Sequence, residues 1–147
     1  MVNIRTMRIE DYEGIYDLWI NTPGMGLNTT DDSKEGIAKY LKRNPSTCFV
    51  AEDDGKIVGV IMAGNDGRRG YIHHTAVLSG YRGKGIGRKL VENALNALDK
   101  EGINKVALVA FNRNTEGNAF WEKIGFTERK DLTYRNINIH DLYRIDT

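Results

Sequence analysis

Cysteine is nearly missing from this chain: Cys48 stands alone among 147 residues. One thiol cannot build an intrachain disulfide framework, which sets aside the small stapled scaffolds of oxidising compartments. Nothing near Cys48 would polarise a thiolate, so it reads as a small core residue rather than a nucleophile. Net charge is scarce as well, with 21 Lys and Arg against 20 Asp and Glu and a formal balance of +1. No global field then favours nucleic acid or a membrane surface. No apolar run approaches the ~20 residues of a spanning helix, and Met1-Val2-Asn3-Ile4-Arg5 has no apolar signal core. Repeats, low-complexity tracts and linkers are missing too. What is left is an ordinary globular balance, 40% hydrophobic and 28% charged. It predicts a single domain over 1–147 in a cytoplasmic setting, with neither nucleic-acid nor membrane partners.

Against this plain background one stretch stands out, from Val77 to Leu90. An apolar run, Ile72 to Leu78, leads into a loop carrying Gly80, Gly83, Gly85 and Gly87. A helical pattern starts at once, with Ile86, Leu90, Ala94 and Leu98 four apart. The order is strand, glycine loop, helix start. Helix starts expose N–H groups with no partner inside the helix, and the dipole adds roughly half a positive charge there. Glycines let such a backbone close on a ligand. The pattern predicts an anion cradle, most naturally for a phosphate or pyrophosphate, with Arg82, Lys84, Arg88 and Lys89 around its rim. A glycine-rich turn holding no ligand is the plainer alternative.

Two phosphate-binding loops are excluded by their own requirements. The nucleotide P-loop needs Lys and Ser/Thr after its last glycine, but Ile86 and Gly87 follow Gly85. The dinucleotide fingerprint needs a third glycine where Arg88 stands, and it belongs near a first strand. This loop comes after several.

Read in order, Asn3 to Met7 predicts a short strand, and Asp11 a cap for a helix through Trp19 or Ile20. Asn21 to Ser33 is a loop rich in turn formers, and a second helix, Lys34 to Lys42, is capped by Ser33. Asp31 and Asp32 allow two readings: attraction of a cationic amine, or a favourable place before a helix. Thr47 to Glu52, Lys56 to Ala63 and Tyr71 to Leu78 predict an antiparallel meander, its first turn made by Asp53-Asp54-Gly55. The helix from Ile86 should stop at Gly102. Lys105 to Phe111, apolar at nearly every position, predicts a strand covered on both faces and parallel to Tyr71–Leu78. A short helix near Glu116 to Lys123 follows, ended by Gly125. Phe126–Lys130 and Leu132–Asn138 read as closing strands, with a further one around Asp141–Ile145.

This order of elements resembles the GNAT N-acetyltransferases along essentially the whole chain, most like small bacterial members of unassigned substrate. The likeness is most specific at Ala76-Val77 followed by Tyr81-Arg82-Gly83-Lys84-Gly85-Ile86-Gly87. It extends to Asn114, seven residues before Trp121, and to Trp121-Glu122-Lys123-Ile124-Gly125-Phe126. The resemblance implies an α/β acyl-CoA acetyltransferase fold, a mixed central sheet with helices on both faces. It also implies acetyl-CoA as co-substrate, with no metal, and a small-molecule or peptide amine as acceptor. A homodimer through the closing strands is a further implication.

The roles it implies are specific. Backbone N–H groups of Arg82, Gly83, Lys84, Gly85, Ile86 and Gly87 should hold the pyrophosphate of coenzyme A. Val77 and Ser79 should bond the pantetheine arm through their backbone, and an N–H at or beside Val77 should polarise the thioester carbonyl. Asn114 and Trp121 should meet the cofactor from the other side. An ammonium group is no nucleophile, so a proton acceptor is needed. His73 is the candidate, since alternation gives it the face of Thr75 and Val77 and it titrates near neutral pH. A structural strand histidine is the alternative. Tyr71, on the face of His73, would line the acceptor pocket or fix a water, and His74 should point the opposite way. Where many members carry a tyrosine as acid, this chain has Trp121, whose indole is no practical proton donor. Tyr134 or solvent could replace it. A non-catalytic acyl-CoA-binding or regulatory module is therefore the second functional reading.

Overall fold

A computed structural model describes residues 1–145 of the chain. Its central sheet is built from β1 (Val2–Thr6), β3 (Phe49–Asp53), β4 (Lys56–Asn65), β5 (Gly70–Val77) and β6 (Val106–Ala107), side by side in the order β1-β3-β4-β5-β6. The first four are antiparallel neighbours, and β6 lies parallel to β5. A small separate pair joins β2 (Leu27–Asn28) to β7 (Arg144–Ile145).

Helices cover both faces. α1 (Tyr12–Ile20) and α2 (Lys34–Arg43) pack on one, placing Ile15, Leu18, Trp19 and Ile37 against Val50, Val60 and Met62. On the other, α3 (Ile86–Lys100) sets Ile86, Leu90, Ala94 and Leu98 against Ala51, Val58, Ile61 and Ile72. Each Val, Leu, Ile or Met among them, fully buried, contributes roughly 1.5–3 kcal/mol of transfer free energy. α4 (Thr115–Lys123) adds Phe120 and Trp121 to the margin of the α3 cluster. The predicted caps hold at Ser33, whose Oγ accepts from the Gly36 N–H at 3.0 Å, and at Gly102, with φ +80° after α3. Cys48 is 1% exposed in the core, and burial pushes its thiol up to about 12.

Three expectations need correction. Asp11 does not cap α1: its carboxylate accepts from the Arg8 N–H at 2.8 Å and takes the Arg5 guanidinium at 2.8 and 2.9 Å. The long buried strand over Lys105–Phe111 shrinks to Val106 and Ala107, while Val109 is 59% and Phe111 40% exposed. A strand needs a neighbour to extend along, and the pairing with β5 stops after Gly70–Val106 and Tyr71–Ala107. The closing strands at Phe126–Lys130 and Leu132–Asn138 are irregular chain, exposed apart from the half-buried Phe126. Their alternation suits a strand, but a β6 of two residues offers no edge to pair with. Among the described residues there, Arg144–Ile145 is extended and pairs with β2. Among the described residues no helix is long and apolar enough to cross a membrane.

Candidate functional site

The start of α3 meets the physical requirements of an anion cradle. Gly85, its N-cap, has φ +82° and Gly83 has φ +77°, values that favour glycine. Among the described residues, none of the six backbone N–H groups from Gly83 to Arg88 meets an acceptor. The Arg82 N–H is different, because the Ser79 carbonyl accepts it at 3.3 Å. The cradle thus begins one residue later than expected and runs on to Arg88. Gly87 has another reason to be glycine: a methyl there would come 3.1 Å from the Phe120 ring, so α3 and α4 approach closely at this point. The rim cations are unequal. Arg82 Nε donates to the Val77 carbonyl at 2.9 Å and Lys84 Nζ lies 5.5 Å from the Tyr81 ring centre. Arg88 lines the cleft.

That cleft, about 760 Å³, runs between the α3 start and α4 and includes Val77, Arg82, Gly85, Gly87, Asn114 and Trp121. Ser79 is not in it; the residue sits in a single 3₁₀ turn, Ser79–Tyr81, after the strand has ended. Asn114 caps α4, its Oδ1 accepting from the Gly117 N–H at 3.0 Å. Trp121 is half-buried between Phe120 and Phe126, its ring centre 5.0 and 5.2 Å from theirs. The Leu78 N–H donates to the Val58 carbonyl at 2.8 Å. Alternation therefore turns the N–H of Val77 away from β4, toward the side where β6 has already ended. Thr75 Oγ1, close by, is buried with no partner among the described residues. A multi-oxygen anion followed by an amide-bearing arm fits this cleft, because the N–H groups from Gly83 to Arg88 and Thr75 Oγ1 have no partner among the described residues.

Simple alternation fails in the middle of β5. Opposite β4 the register runs Val60 with Ala76 and then Met62 with His73, so β5 carries one residue too many. The extra residue is at His74, whose φ is +45°. The bulge reverses the faces: Ile72 packs with α3 and Ala76 with α1, although they are four positions apart. His73 consequently does not share a face with Val77. Its ring is 5.8 Å from Tyr40 of α2, and the His74 ring is 5.1 Å from Trp19 of α1. Both histidines lie on the α1/α2 side, so His74 is not on the opposite face from His73.

His74 is tightly held. Its Nε2 lies 2.8 Å from Asp32 Oδ1, while Asp32 Oδ2 accepts from the Asn28 N–H at 2.8 Å and Trp19 Nε1 donates to the His74 carbonyl at 3.1 Å. A carboxylate only accepts, so Nε2 carries the hydrogen of this bond. Asp32, 3% exposed, stands directly before the Ser33 cap of α2 and also holds the His74 ring, a role neither sequence reading gave it. No spacing could have shown this pair, which is 42 residues apart. The His73 ring has no hydrogen bond to another described residue. Packing around its ring desolvates it, and with the adjacent His74 this holds it below the ordinary imidazole range against the pull of Asp32 and Asp31. Part of the ring remains open to solvent. Tyr71 is 4.6 Å away, and burial pushes its phenol up, so it keeps its proton at neutral pH. No group of three metal-ligating side chains occurs among the described residues.

Comparison with known proteins gives three kinds of match. The family model described as "Acetyltransferase (GNAT) family" matches residues 12–126. An acetyltransferase of Sodalis glossinidius is 31% identical over 125 residues, 85% of this chain and 87% of its own length. Among solved structures, the PaiA N-acetyltransferase of Thermoplasma acidophilum in complex with coenzyme A superposes with a TM-score of 0.72 at 20% identity, covering 85% of this chain and 89% of that one. The glucosamine-6-phosphate N-acetyltransferase of Arabidopsis thaliana does so with 0.65 at 22%, covering 94% and 99%. At these identities the structural matches speak to the fold.

Proposed function

The chain belongs to the acetyltransferase (GNAT) family, and from that premise we propose that it transfers the acetyl group of acetyl-CoA to a primary amine by direct attack. The observation that carries this reading is the run of six unclaimed N–H groups, Gly83 to Arg88, at the positive end of α3. They would hold the pyrophosphate, with Arg88 beside them. Val77, its N–H turned to the open side of β5, would donate to the carbonyl oxygen where negative charge develops. Thr75 Oγ1 and Asn114 would orient the arm between. When bound, acetyl-CoA supplies an activated acyl group on a good leaving thiolate. His73 would accept the amine proton, directly or through a water, and neutrality near pH 7 suits it to that task. The new C–N bond forms as the C–S bond breaks, and the thiolate takes its proton from solvent.

Thermal unfolding tests the reading first. At about a hundred times its dissociation constant, acetyl-CoA should stabilise the protein by roughly 2.7 kcal/mol, whereas ATP and NADH should leave the melting temperature unmoved. Thiol release on adding amines then separates an enzyme from a binder. Tight cofactor binding with silence toward every amine would favour the non-catalytic module, the reading that Trp121 in place of a tyrosine keeps open.

A further inference from the structure

A second cleft, about 460 Å³, opens beside the first. The two share Gly24, Met25, Thr75, Asn114 and Trp121, and His73, His74 and Tyr71 line the second alone. Resting on the acetyl-transfer reading, we propose that this second cleft is the acceptor site and that it takes a small amine with an aromatic body, whose ammonium is its one charge.

The lining carries the argument. Tyr71, Phe111, Trp121 and Tyr134 give it four aromatic rings besides the two histidines, and Met25 and Val109 are apolar. No Lys, Arg, Asp or Glu is among its described lining residues. A phosphorylated acceptor would require a guanidinium or ammonium partner. Arg113, near at hand, lies over the Phe111 ring at 4.2 Å and lines the other cleft. A polyamine would bring a second ammonium, and no carboxylate is among the described lining residues to meet it. The carboxylate behind this wall is Asp32, and both its oxygens are taken, by His74 and by the Asn28 N–H.

An aromatic body, by contrast, finds surfaces it can use. The Tyr71 and His73 rings sit 4.6 Å apart at 39°, and tilted or offset contacts of this kind suit a further ring. Val109, Phe111 and Tyr134 are 59%, 40% and 66% exposed, apolar surface that such a ligand would cover. A single ammonium can rest against aromatic faces until its proton passes to His73. The freed lone pair then forms the C–N bond, the C–S bond breaks, and the departing thiolate is protonated by water.

The test is a competition among defined acceptors, read as thiol release from acetyl-CoA. Phenethylamine and tyramine should exceed spermidine, glucosamine 6-phosphate and a short peptide with a free N-terminus by at least tenfold in kcat/KM. A preference for any of the last three overturns the aromatic acceptor while leaving acetyl transfer intact. Failure of all five, with no shift in melting on acetyl-CoA, overturns both readings. Val109→Glu supplies an independent check, because the side chain is exposed and the change places a carboxylate on the wall. It should raise the spermidine-to-phenethylamine ratio of kcat/KM about tenfold, and an unchanged ratio in a protein that melts like the wild type overturns the assignment of the cleft.

Discussion

His73 and His74 are neighbours in sequence with different tasks set by their surroundings. Asp32 fixes the ring of His74, whereas neither ring nitrogen of His73 has a hydrogen-bond partner among the described residues. His73→Gln should lower kcat by about 10²–10⁴ with little effect on the KM for acetyl-CoA. Its pH profile is the sharper readout. Packing around the ring favours its neutral form, so the acidic limb of kcat/KM in the wild type should lie below the ordinary imidazole range, and activity should be lost as pH drops through the folded-state pKa. In the variant that limb should disappear from the steady-state profile. Sequence alone identified His73 as a candidate and placed it on the correct strand. It assigned the wrong face, because periodicity assumes an unbroken ladder and nothing in Ile72-His73-His74-Thr75 announces a bulge.

Among the elements, α3 was the most legible. Its boundaries, its buried stripe and its glycine entry all follow from four-residue spacing and the punctuation at Gly85 and Gly102. Gly85→Ala should cost roughly 1–2 kcal/mol of stability, because φ +82° is strained for a residue with a Cβ. Calorimetric titration should also show acetyl-CoA binding weakened by tenfold or more. The run Lys105–Phe111 was over-read for a different reason. A continuous apolar stretch reports that side chains want cover, but it does not report whether a neighbouring strand continues beside them. The same holds for Leu132–Asn138, where alternation survives without a partner.

For the molecule as a whole, the first strand, the entry to α1 and the third strand are fastened by one guanidinium. Arg5 meets Asp11 twice and Glu52 twice, all within 3.1 Å. Burial alone would raise the Asp11 carboxyl, but the Arg5 hydrogen bonds, the Arg8 N–H and the Arg5 charge outweigh it and hold it below its ordinary range. A folded value beneath the unfolded one means stability that is present above pH ~4 and lost as pH falls through the folded pKa. Arg5→Met should therefore cost roughly 1–3 kcal/mol at pH 7, less than a fully buried pair because the Arg5 side chain is 21% exposed. Denaturant melts should show the gap from wild type narrowing below pH 4. At the far edge the sheet is unfinished in the opposite sense: β5 and β6 share only two register pairs, Gly70 with Val106 and Tyr71 with Ala107. Beyond them the N–H of Val77 faces a cleft where β5 has no strand paired to it on that side. A ligand whose own chain carries amides would supply the absent rungs, so occupancy and the completeness of the sheet become a single variable. Deuterium uptake at Val77 would then track loading of the cleft, while Val60, inside the closed ladder, would stay silent.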